Sequence, residues 1–142
     1  MAGPFRHRPS LEGINRGSAN TVIGGLGIVI TEQGEDFLRG TMPVDARTMQ
    51  PFGLLHGGSS ALLAETLASL AANLCLEDPA RQQAVGLELN ANHLRAITEG
   101  TVTGTARPLH VGRSTQVWDI RIEDEPGRLV CVARLTLAIR SN

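Results

Sequence analysis

The sequence predicts an α+β fold in which an antiparallel sheet wraps around one long central helix. Three observations lead there. Residues 57–76 are rich in Ala, Leu and Ser and hold a single β-branched residue, Thr66, as a helix requires. The segments on either side alternate apolar and polar residues with the period of two that marks a strand. A helix that is apolar nearly all round must be covered on most sides, and a curved sheet covers it most economically.

The elements follow in order. The 142 residues suit one domain, 1–142, in which residues 1–17 form an N-terminal extension with a short helix near 11–15. Residues 21–31 are rich in Val, Ile and Gly and read as a strand. Residues 35–44 read as its neighbour across a Gln33-Gly34 turn. A loop with Pro51 and Gly53 precedes the central helix, which Glu77-Asp78-Pro79 ends because proline cannot continue the hydrogen-bond ladder. Four strands remain, with expected inward sets Val85, Leu87, Leu89 and Ala91; Val102, Gly104 and Ala106; Trp118, Ile120 and Ile122; Ala133, Leu135, Leu137 and Ile139. Turn signals at His110-Val111-Gly112 and Asp124-Glu125-Pro126-Gly127 join the last three into a meander.

Composition excludes several functions. A net charge of −1 leaves no basic excess to neutralise a phosphate backbone. Aromatic residues make up only 3%, with no Tyr, so no base-stacking platform is encoded and nucleic acid is not an expected partner. Cys75 and Cys131 lie far apart, outside any C-x-x-C pair, and are expected to be reduced, buried thiols. His7, His56, His93 and His110 lack metal-ligand spacing, so no metal is expected. Residues 1–15 hold no apolar core of a signal peptide, and no apolar run nears the roughly 20 residues that span a bilayer. The expectation is a cytoplasmic protein with no membrane partner.

Glu65 stands apart. Between residues 54 and 76 it is the only side chain charged at neutral pH. A solvent face would repeat polar residues every three or four positions. Ala61, Leu62, Ala68 and Ser69, which share its face, are small or apolar. A lone carboxylate in such a stripe is expected to be buried or to line a cleft, where proteins keep such groups for use. Ser69, four residues on, can reach the carboxylate or a water bound to it.

The start of the helix is the second unusual feature. Gly57 and Gly58 weaken a first turn unless backbone must come close to something. First-turn N–H groups have no internal partner and carry the positive end of the helix dipole. Gly57 can therefore present an open N–H to a carbonyl oxygen that gains charge, and Gln50 can add a side-chain amide. His56 either caps the helix or holds a water.

The stretch Gln50-Pro51-Phe52-Gly53-Leu54-Leu55-His56-Gly57-Gly58, followed by Leu63-Ala64-Glu65-Thr66, closely resembles the PaaI-like hotdog thioesterases. It is most similar to the branch holding the 1,4-dihydroxy-2-naphthoyl-CoA thioesterase and the enterobactin-associated proofreading thioesterase. Further matches are Gly86-Leu87-Glu88-Leu89-Asn90-Ala91-Asn92-His93, Arg107-Pro108-Leu109-His110-Val111-Gly112-Arg113 and Gly127-Arg128-Leu129-Val130-Cys131, so the resemblance runs from about Asn15 onward. It implies the hotdog fold and hydrolysis of acyl- or aroyl-coenzyme A thioesters, coenzyme A being part of the substrate and no cofactor being needed. It also implies active sites between two subunits, in a homotetramer built as a dimer of dimers, with acyl carrier protein thioesters as a further possible substrate form.

In such a site Glu65 of one chain faces Gln50, His56 and Gly57 of the other and acts as nucleophile or as general base. Ser69 then positions water. Phe52 packs on an aryl ring, His93 and Arg95 lie near the ligand, and Arg113 with Ser114 meets the nucleotide phosphates. Leu62, Leu63 and Leu67 shape the acyl pocket. Two rival readings share the fold: an acyl-thioester hydratase or dehydratase, which carries a different loop around its histidine, and a non-catalytic acyl-CoA-binding protein, which has no use for Glu65.

Overall fold

The structure, a computed structural model, describes residues 3–142. Chain order is α1 (Leu11–Ser18), α2 (Val22–Gly25), β1 (Val29–Gln33), β2 (Leu38–Pro43), α3 (Gly57–Leu74), β3 (Gln82–His93), β4 (Thr101–Val111), β5 (Thr115–Glu123) and β6 (Leu129–Ser141). The strands form one antiparallel sheet in the order β1-β2-β4-β5-β6-β3. This is the hotdog arrangement, with α3 as the wrapped helix. The meander β4–β5–β6 forms as expected, while β3 crosses to the far edge and pairs only with β6.

Burial explains the wrap. Leu63, Ala64, Leu67, Ala68, Ala71 and Ala72 are fully enclosed, against Val102, Ala106, Ile120, Ile122, Leu135 and Leu137 of the sheet. Gly40 and Gly104 face each other across β2 and β4. A Cβ on Gly104 would come within 2.6 Å of Leu67 Cδ1, so the bare backbone lets the helix bed closely on the sheet. Buried Gln116 ties the layers together: its amide donates to Ala72 O (3.2 Å) and its carbonyl accepts from Trp118 Nε1 (2.8 Å). Residues 3–8 cross the far end of α3, where the Arg6 and His7 amides donate to Leu74 O. Phe5 there stacks on Trp118 with ring centroids 6.1 Å apart.

Asn73 links α3 to the edge strand. Its side chain accepts from Ala84 N (3.0 Å) and donates to Ala84 O (3.2 Å), and so occupies both backbone groups of Ala84. Among the described residues no helix is long and apolar enough to cross a membrane.

Several expectations are corrected. Residues 21–31 are not one strand: Thr21 accepts from Ile23 N and caps α2, and the strand begins only at Val29. The first helix runs on to Ser18 from a Ser10 cap. Residues 34–37 form the β1–β2 turn, closed by Gly34 N to Phe37 O at 2.8 Å. His110 and Val111 continue β4 past a bulge at Leu109, so the β4–β5 turn is Gly112 to Ser114. The inward set of β3 also differs. Its register slips between Gly86 and Glu88, and Leu87 stands out of the sheet, 64% exposed.

Leu63 and Leu67 are likewise core residues bedded on the sheet and not walls of an acyl pocket. Truncation of such a side chain leaves a cavity that its neighbours fill only in part. Leu67→Ala is expected to lower unfolding free energy by about 2–5 kcal/mol, measured by urea denaturation.

Candidate active site

The chain before α3 folds into a tight loop. Gln50 N donates to Leu54 O (2.8 Å), and Gly53 N, at a positive φ of 79°, donates to Gln50 O (2.9 Å). The Gln50 side-chain carbonyl accepts from Phe52 N, which leaves its NH2 group as the outward donor. Leu55 N binds Ile97 O and His56 N binds Thr48 O, so the loop is anchored on both sides. Phe52 at its tip is 88% exposed.

His56 is the N-cap of α3, its Nδ1 accepting from Gly58 N at 2.8 Å. Of the two roles open to it from sequence, the cap is the one seen. It also fixes the tautomer of the neutral ring, with the proton on Nε2. Gly57 is the first helical residue, and among the described residues its N–H has no carbonyl partner. His93, from the end of β3, lies over it: a Cβ on Gly57 would stand 2.8 Å from His93 Nε2. The fold thus gathers Gln50, Phe52, His56, Gly57 and His93 at the start of the helix.

Glu65 belongs to a second cluster. It lines an open groove of about 570 Å³. Val22 and Ile23 of α2 form one wall and Leu89 of β3 another. Ala61, Leu62, Ser69 and Leu70 of α3 form the floor. The groove is apolar apart from Glu65, Ser69, Thr66 and Asn73, and among the described residues no cationic side chain lines it. The carboxylate is exposed in the single chain, which corrects the expectation of burial and leaves that of a cleft. Its Oε2 rests against Gly86 of β3, where a Cβ would come within 2.5 Å. Ser69 lines the same groove one turn on.

The two clusters are separate within one chain. Glu65 is eight positions beyond Gly57 on α3, about 12 Å along the helix axis. Arg113 lies farther still, in the β4–β5 turn, lining a cavity of about 750 Å³ with Phe5, Cys75, Leu76 and Gln116 at the far end of α3. Ser114, next to it, accepts from Ile139 N through its backbone carbonyl. Arg95 is exposed near Asp124. Burial pushes the Asp124 carboxyl up, but hydrogen bonds from the Arg128 backbone and guanidinium and the charges of Arg128 and Arg95 outweigh it, and the net shift is downward.

Residues 52–131 match the family model described as the thioesterase superfamily. The chain is 51% identical over 135 residues to the proofreading thioesterase EntH of Cronobacter sakazakii, covering 95% of this chain and 97% of that one. It is 50% identical to the 1,4-dihydroxy-2-naphthoyl-CoA hydrolase of Escherichia coli, covering 95% and 98%. The chain belongs to the thioesterase superfamily. A crystal structure of a Haemophilus influenzae thioesterase superposes on this superfamily member with a TM-score of 0.93 at 50% identity, covering 96% of this chain and 94% of that one. As a thioesterase the chain is a thioester hydrolase, which sets aside the hydratase and non-catalytic readings.

Sequence reasoning put Val22 and Ile23 in a strand, set Leu89 on an inward face without a place in the site, and gave Gly86 no role. Strand periodicity set Gly86 on the face opposite Leu89, because it carries no sign of the slip at Leu87.

The thiols lie outside the groove. Both are buried, and burial pushes Cys75 up to about 11, slightly offset by the charge of Arg6, and also raises Cys131. Only the thiolate reacts, and at pH 8 Cys75 is ionised to about one part in a thousand. A disulfide-exchange reagent at pH 8 is expected to find almost no thiol in native protein and two per chain in guanidinium. Native reactivity should climb as pH is raised toward the Cys75 value.

Proposed function

We propose that this thioesterase hydrolyses acyl- or aroyl-coenzyme A thioesters at sites shared by two copies of the chain. One observation carries the sharing. Glu65 and the donors at the start of α3 lie about 12 Å apart in one chain, too far to grip one carbonyl group together. A second copy supplies the missing half: its Gln50 amide and Gly57 N–H meet the substrate carbonyl above Glu65 of the first. The unpaired edge of β3 is a natural place for the copies to join, since an open edge calls for a partner strand. The assembly proposed is a homotetramer in the cytoplasm. The names of the relatives, one a naphthoyl-CoA hydrolase, support an aroyl substrate. The apolar groove beside Glu65 suits either an aryl or an alkyl group.

The chemistry follows from the parts. Gly57 N–H, at the positive end of α3, and the Gln50 NH2 polarise the carbonyl and hold the negative charge that forms on its oxygen. Glu65 attacks the carbonyl carbon directly, giving an anhydride that water then opens, or takes a proton from a water that attacks instead. Either way the carbon–sulfur bond breaks and coenzyme A leaves as a thiolate, a good leaving group that needs no strong acid. Ser69 orients the water. His93 over Gly57, Phe52 and Arg95 line the approach, and Arg113 with Ser114 receives the nucleotide phosphates.

Glu65→Ala is expected to lower kcat by more than about 10²-fold, and Gln50→Ala by about 10²-fold or less, in a thiol-release assay with benzoyl-CoA and fatty acyl-CoAs. Carrier-protein thioesters belong on the same panel. The two variants also test the sharing. Unfolded together and refolded at equal amounts, half the pairs are mixed, and each mixed pair holds one intact site of two. Activity should then rise to about a quarter of wild type. If it stays at the mean of the two parents, each site lies within one chain and the proposal fails.

A further inference from the structure

Gly86 and the bulge beside it hold a feature that the reaction scheme leaves unused. The β3–β6 ladder pairs Gly86 with Leu137 and then Glu88 with Thr136, so Leu87 is the extra residue of a bulge. On an unbroken strand residues 86 and 89 would lie on opposite faces, three positions apart. Here Gly86 touches Glu65, and Leu89 lines the groove that holds Glu65. The bulge brings both to the side of α3 and turns Leu87 outward. Bulges next to active sites commonly re-aim the strand in this way.

The contact itself is narrow. A Cβ on residue 86 would stand 2.5 Å from Glu65 Oε2, 3.5 Å from Glu65 Cδ and 3.4 Å from Leu135 Cδ1. Leu135 is fully buried and fixed. The exposed carboxylate is the free end of a flexible side chain, so it is the group that must give way. Among the described residues no cationic side chain lines the groove to hold it.

We propose that Gly86, presented by the Leu87 bulge, is a positioning residue: its bare backbone is the seat that fixes the Glu65 carboxylate at the height where it meets the thioester carbonyl. A methyl group at residue 86 leaves the strand in place and lifts the acid out of line. This rests on Glu65 being the reacting carboxylate.

The test is a double-mutant cycle of Gly86→Ala and Glu65→Asp, read by steady-state kinetics and thermal unfolding of the full chain. Gly86→Ala is expected to lower kcat by about 10- to 100-fold, the scale of a misplacement near 1 Å, while KM moves much less and the melting temperature holds. Glu65→Asp, one methylene shorter, draws the acid back from the new methyl. It should therefore cost markedly less in the Gly86→Ala background than alone. Wild-type kcat in Gly86→Ala, additive losses in the cycle, or an unfolded Gly86→Ala protein would each overturn the seat. Full activity in Glu65→Ala would instead overturn the catalytic reading beneath it, so the two failures are distinguishable.

Discussion

Close contact between an almost uncharged helix and a sheet with glycines beneath it governs this molecule. Leu67 of α3 beds between Gly40 and Gly104, and the helix sinks until six of its side chains are wholly enclosed. Most of the favourable free energy of the fold lies in that burial. The sheet cannot close around the remaining side of the helix. That side stays open as an apolar groove, and the lone charged residue of α3 sits in it. Core and groove are thus two faces of one helix, and the sequence pattern that builds the first leaves the second exposed.

The same geometry separates the chemical parts. A straight helix keeps its positive end and its ninth residue, Glu65, a fixed distance apart, whatever the side chains do. The His56 cap spends one ring nitrogen on the first turn and leaves the Gly57 amide open. The Phe52 amide holds the Gln50 carbonyl and leaves the Gln50 NH2 free. Each local hydrogen bond removes a competing option, and what remains is a set of donors with nothing among the described residues to donate to.

Much of this was legible in the residues, and the exceptions have physical causes. The helix was readable to within two residues of its end because proline and composition mark it. The inward sets of β4, β5 and β6 were readable because those strands are buried on one face and solvated on the other. Glu65 was readable by contrast with its neighbours, though its exposure was not, since one chain leaves its groove uncovered. Phase was lost in β3, where one extra residue reverses the alternation, and at residues 21–28, where a threonine cap draws an apolar segment into a helical turn. Leu63 and Leu67 were misplaced because composition does not say which side of an all-apolar helix meets the sheet.

The Asn73 side chain gives the border of the sheet an end point. Its amide imitates a neighbouring strand for one residue and closes the rim at Ala84. Any additional strand laid along that rim can start only farther on, toward His93.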